Sequence, residues 1–235
     1  AILAILQPLS DEYDLALLTE ESPDNGQRQY KPAFWSIDPM DGTLNFINRQ
    51  PGFSVSIALV TKNGIPLLGV VYDPVQKNLY QAVRNAGAYR NGEPIKVPQR
   101  NPEQPLVLRT DFSFQTDPLR EKTLTGLQDI AHKLGLRGAD IQYRNGAVLN
   151  ACAILEDPNI CYFKYPKSGG GSLWDYAATA CLYHETGAIA SDIYGQPMEL
   201  NRQGSTFMNH RGLLYASDPT LADHIVALYR SICRL

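Results

Sequence analysis

The chain has 235 residues, 44% of them hydrophobic and 19% charged, and a net charge of −3. That balance excludes a disordered chain and suits a globular protein with a large core, built as one long domain or two smaller ones. The slight acidity argues against a nucleic-acid polymer as partner, while a small phosphorylated metabolite stays compatible because bound cations can supply positive charge.

Cys152, Cys161, Cys181 and Cys233 show no C-x-x-C or Cys/His zinc spacing. They read as reduced core residues in a reducing, cytoplasmic compartment; their even number also allows a disulfide framework, which a chain of this length does not need. No apolar run approaches the ~18 residues of a membrane span. Ala1–Leu6 is apolar but lacks a basic lead and a cleavage-like sequence, and reads as the end of a helix whose beginning is missing.

Residues 1–7 are predicted helical, 8–14 a loop, and 15–19 a short strand that runs into Glu20 and Glu21. This acidic pair, followed by Asp24, Asn25 and Gly26, also fits a solvated turn. Residues 22–32 are polar and predicted to form a flexible loop. The apolar run Phe34, Trp35, Ile37 then delivers Asp38 and Asp41, with Pro39 stiffening the backbone between them. Both carboxylates can face one small volume. Two carboxylates that close need a shared proton or a cation, and oxygen-only ligands favour Mg²⁺, Mn²⁺ or Ca²⁺. Gly42 permits close backbone approach, the Thr43 hydroxyl lies beside the site, and a helix opening there offers N–H groups to phosphate. The competing reading is a strand and a plain turn, since Asp, Pro and Gly are turn residues.

Residues 53–59 and 65–72 read as strands around the turn Lys62-Asn63-Gly64, and 78–83 and 87–97, with a turn at Asn91-Gly92, extend an antiparallel meander. Composition shifts across 98–105, which separates an N-terminal half, 1–100, from a C-terminal half, 101–235. In the second half, 106–110 reads as a strand. Residues 118–134 read as a helix with Leu124, Leu127, Ile130, Ala131 and Leu134 on one face, closed by Gly135–Gly138. A second helix at 148–155 follows Asn145-Gly146-Ala147, and 159–165 reads as a strand. In Lys164–Ser172 three consecutive glycines make a mobile or sharply folded loop, and Lys164 and Lys167 can meet a negatively charged group; a solvated loop fits as well. Asp175 sits near the start of a helix over 173–185, where the dipole favours a carboxylate even without metal. A short strand at 189–190 and a final helix at 221–232 complete the scaffold. There is no Walker loop and no nucleophile elbow.

Three segments in order carry a resemblance: Glu20-Glu21-Ser22, Asp38-Pro39-Met40-Asp41-Gly42-Thr43 with Asn45-Phe46, and Trp174-Asp175 with Ala177-Ala178. With Phe53–Leu59 and Gly69–Pro74 between them, the chain resembles the inositol monophosphatase superfamily of lithium-sensitive, magnesium-dependent phosphatases. The resemblance implies an α/β fold, a layered αβαβα sandwich of the sugar phosphatase type. It implies a phosphoric monoester hydrolase with two or three Mg²⁺ ions, with Mn²⁺ as a substitute, Li⁺ as inhibitor, and a homodimeric state. By resemblance the metal ligands are Glu20, Asp38, the Met40 carbonyl, Asp41 and Asp175. Thr43 orients the attacking water, the backbone at Gly42 and Thr43 holds phosphate, and Gly146 and Ala147 receive substrate, although Gly146 fits equally well as a residue that only relieves helix packing.

The substrate is expected to be an inositol phosphate or similar metabolite. Ser168, however, stands at the position where inositol-phosphate members carry an acid that contacts sugar hydroxyls, and Lys167 stands near a basic residue of the nucleotide-bisphosphate members. The runner-up is therefore a 3′(2′),5′-bisphosphate nucleotidase acting on adenosine 3′,5′-bisphosphate, although Leu44-Asn45-Phe46 resembles the inositol branch. Family members also pair the threonine with an acid well upstream of the Glu-Glu pair; Ala1 lies too near Glu20 for the sequence to contain it, and Asp11 and Asp14 are too close to be equivalent. The expectation is a fragment or shortened form of a longer enzyme, and a catalytically impaired metal- or phosphate-binding protein is the alternative of another class.

Overall fold

The computed structural model describes residues 1–144 and 146–233. The chain runs α1 (Ile2–Glu12), β1 (Ala16–Thr19), β2 (Ala33–Asp41), α2 (Thr43–Ile47), β3 (Ser54–Thr61), β4 (Pro66–Asp73), β5 (Asn78–Val83), β6 (Gly87–Arg90) and β7 (Glu93–Pro94). It continues as β8 (Leu106–Thr110), α3 (Arg120–Lys133), β9 (Ala139–Tyr143), α4 (Ala147–Ile154), β10 (Ile160–Lys164), α5 (Ala177–Thr186), β11 (Ile189–Ser191), β12 (Leu213–Ala216) and α6 (Pro219–Cys233).

The first seven strands form one sheet in sequence order, with β1 parallel to β2 and every later pair antiparallel. Short turns at Lys62–Gly64 and Asn91–Gly92 permit only antiparallel returns, so the meander follows from the sequence. The second sheet has the order β11-β12-β10-β8-β9, and in it β9, β8 and β10 run parallel. Those three strands are joined through α3 and α4, long enough for crossovers.

One hydrophobic cluster fills the space between the first sheet, α4, α5 and the near face of the second sheet; another lies between the second sheet and α3 and α6. The layers therefore alternate sheet, helices, sheet, helices. The first is close enough that a Cβ at Gly69 on β4 would lie 2.3 Å from the Ala178 carbonyl oxygen. Small residues on α5, Ala177, Ala178 and Cys181, make that approach possible, and all are fully buried.

Several expectations are corrected. The predicted loop at 8–14 is mostly helix, because α1 continues through Pro8. The proline leaves the Ala4 carbonyl without its usual donor, but Ala4 is exposed and water can serve it. The helix over 173–185 is split into a 3₁₀ turn at Leu173–Asp175 and α5. Strands β9 and β12 have no pattern in the sequence that marks them. In β9 only Ile141 is buried, and β12 is four buried residues, too short to show a period. The loop over 22–32 is pinned by Arg28, which is 2% exposed. Asn145 lies outside the described residues. Cys152, Cys161 and Cys181 are free and buried, and Cys233 is free and exposed. Among the described residues, no helix is long and apolar enough to cross a membrane.

Candidate active site

Strand geometry alone would send Asp38 and Asp41 to opposite faces, since they are an odd number of residues apart. A bulge reverses this. Asp38 pairs with Ser56 and Asp41 with Ser54, so three steps on β2 match two on β3. Both carboxylates emerge on one face, and both are buried. Pro39 falls inside the bulge, where its missing N–H costs no ladder bond. The Met40 N–H donates to Asp38 Oδ1 at 2.8 Å.

Asp175 arrives on the 3₁₀ turn between β10 and α5, which packs against β2 and β3. The Ser172 N–H donates to its Oδ2 at 2.8 Å, and the Ser56 hydroxyl donates to the Trp174 carbonyl at 3.0 Å, fastening the turn to β3. Carboxylate oxygens of Asp38, Asp41 and Asp175 thereby lie within 4.8 Å of one another. Asp41 also accepts from the N–H groups of Ala147 and Val148, each at 3.1 Å, in the first turn of α4. Gly146 leaves the room for it: a Cβ there would lie 2.0 Å from Asp41 Oδ2. Gly42 is equally constrained, with φ at +83° and Gly52's carbonyl oxygen 2.5 Å from where a Cβ would stand.

Burial, and then like charge, raise all three carboxyls above the usual range. Asp38 is pushed up by burial and by Asp41, against the Met40 N–H. Asp41 rises to about 7 through burial and Asp175, opposed by the Val148 and Ala147 N–H groups. Asp175 rises to about 6 through burial, opposed by the Ser172 N–H and by Lys164. Three converging carboxylates, with Asp38 and Asp41 buried and Asp175 half-buried, are an unfavourable arrangement that a divalent ion relieves. The donor set therefore fits a hard cation such as Mg²⁺.

Opposite this trio, the parallel strands β8 and β10 deliver two side chains at their carboxyl ends, the usual ligand edge of such sheets. Lys164 Nζ lies 2.8 Å from Asp111 Oδ2, and the Ser113 hydroxyl donates to Asp111 Oδ1 at 2.6 Å. The ammonium also sits 5.9 Å from the Tyr162 ring centroid. Burial lowers the Lys164 pKa, but Tyr162 and Asp111 outweigh it and hold the ammonium charged. Burial raises Asp111 in turn, and Lys164 more than offsets this, keeping the carboxylate ionised. A cleft of about 400 Å³ joins the two groups, with Gly42, Thr43, Gly146, Ala147 and Asn150 also in its wall.

Residues 3–233 match the inositol monophosphatase family. The chain belongs to that family. It is 33% identical over 195 residues to the Nus factor SuhB of Pasteurella multocida, covering 82% of this chain and 68% of that protein. It is 31% identical over 176 residues to inositol monophosphatase 1 of Solanum lycopersicum, covering 72% of this chain and 59% of that one. Against SuhB of Haemophilus influenzae the identity is 34% over 158 residues, 67% of this chain and 56% of that protein, so the chain spans little more than half of some relatives. In structure it is similar to the inositol monophosphatase of Anabaena (Nostoc) sp. PCC 7120, with a TM-score of 0.72, 24% identity, and 97% and 83% of the two chains covered. SaIMPase-II with inositol monophosphate bound gives a TM-score of 0.73 at 23% identity, covering 98% and 82%. At these identities the structural likeness speaks to the fold.

The structure brings Asp38, Asp41 and Asp175 together and leaves Glu20 beside them. Glu20 is exposed just past β1; its N–H donates to the Ile37 carbonyl at 3.1 Å, next to Asp38, and its charge adds to the rise of Asp38 and Asp175. The Thr43 hydroxyl donates to the Met40 carbonyl at 3.1 Å, joining two of the predicted groups. Gly146 and Ala147 line the cleft, but their N–H groups are engaged by Gly52 and Asp41. Lys167 and Ser168 are exposed and stand outside the cleft wall, where Lys164 takes the basic position. The glycines that follow, 169 to 171, all have positive φ, which accounts for the run without a ligand. Asp111, Phe112, Asn150 and Tyr162 were missed. Only the parallel pairing of β8 and β10 marks Asp111, and that pairing is not visible in either strand alone.

Proposed function

We propose that this chain is a divalent-cation-dependent phosphomonoester hydrolase acting on a small phosphorylated polyol. The observation that carries the reading is the convergence of Asp38, Asp41 and Asp175 within 4.8 Å, with Asp38 and Asp41 buried. Those three, with Glu20 and the Met40 carbonyl, would hold Mg²⁺ or Mn²⁺. When bound, the cation supplies the charge that offsets a phosphate dianion and polarises its oxygens.

The remaining tasks fall to the chain's own groups. Asp41 is held by two N–H groups and keeps its orientation. The Thr43 hydroxyl donates its hydrogen bond to the Met40 carbonyl, so its lone pairs can accept from an attacking water and aim it. Backbone N–H groups at Gly42 and Thr43, at the head of α2, suit phosphate oxygens. Lys164 and Asp111 form a neutral pair that donates from one member and accepts at the other, the complement of adjacent hydroxyls. The Tyr162 hydroxyl and Asn150 Oδ1 line the same cleft without a hydrogen-bond partner among the described residues, which also favours a substrate rich in hydroxyls.

A second reading, hydrolysis of adenosine 3′,5′-bisphosphate, is favoured by Lys167, whose charge reaches Asp111 and sets two lysines against one aspartate. Leu44 and Phe112, both exposed at the cleft, offer apolar surface to a base. Phosphate release with Mg²⁺, with and without Li⁺, from inositol 1-phosphate, fructose 1,6-bisphosphate and adenosine 3′,5′-bisphosphate separates the two. Preference for the inositol or sugar ester is the expected result. Preference for the adenosine substrate, lost in Lys167→Ala, selects the second reading. No release from any of them by a chain that binds Mn²⁺ overturns both.

A further inference from the structure

Arg28 lies in the polar loop that follows Glu20 and is 2% exposed. A buried guanidinium is costly unless its donors are satisfied. Here Nε donates to Asp24 at 2.7 Å, Nη1 to Asn201 Oδ1 at 2.5 Å and to the Arg202 carbonyl at 3.0 Å, and Nη2 to the Ser205 carbonyl at 3.3 Å. Asn201 answers through Nδ2, which donates to the Arg28 carbonyl at 3.1 Å and to the Lys62 carbonyl at 2.8 Å. Loops far apart in the sequence are thereby tied into one polar knot.

The far side of the knot leads to Asp175. The segment beyond Asn201 pairs with the run before that aspartate: the Leu173 N–H donates to the Thr206 carbonyl at 2.9 Å, the Met208 N–H donates to the Gly171 carbonyl at 2.7 Å, and Ser172 and Phe207 form an antiparallel bridge. Ser172 in turn donates to Asp175. The near side leads to Glu20, fixed through its N–H to Ile37 beside Asp38. Arg28, together with Gln29, whose Nε2 donates to Asn201 Oδ1 at 3.0 Å, thus links the chain leaving Glu20 to the segment that holds Asp175, and none of the Arg28 hydrogen bonds reaches either carboxylate.

We infer that Arg28 is a positioning residue for the cation site, acting through Asn201 and the 201–208 segment to fix Glu20 relative to Asp175. The inference rests on the reading that these carboxylates hold a divalent cation. Only arginine satisfies the knot, because three of its nitrogens donate in three directions from one rigid plane, which a lysine ammonium on a flexible stem does not reproduce.

The test is a Mn²⁺ titration followed by the electron paramagnetic resonance of the free ion, on the unaltered chain, Arg28→Lys, Asn201→Ala and the double variant. Circular dichroism and thermal unfolding of the metal-free proteins run alongside. Loss of supporting contacts around a metal site typically costs 10–100-fold in affinity. The expected result is a Mn²⁺ Kd raised about tenfold in each single variant, no further rise in the double variant, and kcat at saturating cation reduced less than affinity. A folded Arg28→Lys, or a folded Asn201→Ala should the arginine variant fail to fold, that binds Mn²⁺ as tightly as the unaltered chain overturns the inference and leaves the metal site standing. An unaltered chain that binds no Mn²⁺ overturns the metal-site reading and this inference together.

Discussion

The two sides of the cleft handle charge in opposite ways. Asp38, Asp41 and the half-buried Asp175 accept hydrogen bonds from backbone N–H groups, and burial, with nearby like charge after it, raises their pKa values. Across the cleft, Lys164 and Asp111 neutralise each other at 2.8 Å and both stay ionised. The first side concentrates negative charge, which the proposed cation would offset. The second is neutral as a pair and lines the same cleft.

The comparison is most sharply tested by removing a charge from the unpaired side. Asp41→Asn should weaken Mn²⁺ binding by more than about a hundredfold, since a direct ligand matters more than its supports. It should also abolish hydrolysis while raising the melting temperature of the metal-free protein. Calorimetry in EDTA and in Mg²⁺ reads both effects, and a metal-free variant less stable than the unaltered chain breaks the account of repulsion.

Gly146→Ala should come next. Its Cβ would meet Asp41 Oδ2 at 2.0 Å, so either the carboxylate or α4 must shift. Overpacking of this kind costs about 1–3 kcal/mol, measurable by urea unfolding, with a parallel loss of cation affinity. Lys164→Ala acts on the self-neutralised side. A hydrogen bond to a charged group is worth about 1.5–3 kcal/mol, so KM should rise roughly tenfold or more with a smaller change in kcat. A fall confined to kcat would move Lys164 into the chemistry.

The smallest expected effect is on pH dependence. Folded pKa values of about 7 for Asp41 and about 6 for Asp175 exceed the ordinary 3.8. The folded state therefore binds more protons than the unfolded one between those limits, and this contribution to stability is lost as pH rises from about 4 to 7. In EDTA the melting-temperature gap between Asp41→Asn and the unaltered chain should widen over that range, and Mg²⁺ should close it. A gap independent of pH would mean that burial and like charge do not raise these carboxyl pKa values.

Much of the first half was legible because its signals are local. The turn at Lys62–Gly64, the alternation along β3 and the sequence around Asp38 and Asp41 each fit within a few residues. The second half was less so. Strand β9 buries only Ile141, β12 is a short apolar run, and Pro8 hid the length of α1 because a proline at an exposed turn costs less than in a buried one. The loop that holds Arg28 read as polar and flexible; nothing in its composition distinguishes a solvated arginine from one whose partners are Asn201, Arg202 and Ser205.

The local sequence sets out the acidic groups of the candidate site. The Asp-Pro-x-Asp-Gly-Thr spacing places two acids and a hydroxyl at one strand end, and family membership follows from motifs in order. Tertiary structure alone decided which side of the strand those acids share, through a bulge paired to Ser54 and Ser56. It also decided that Lys164 rather than Lys167 lines the cleft, and that Asp111 faces it. The reason is that a motif fixes only what lies within reach of its own backbone. A partner from another strand is chosen by sheet order and register, which arise from packing the whole chain.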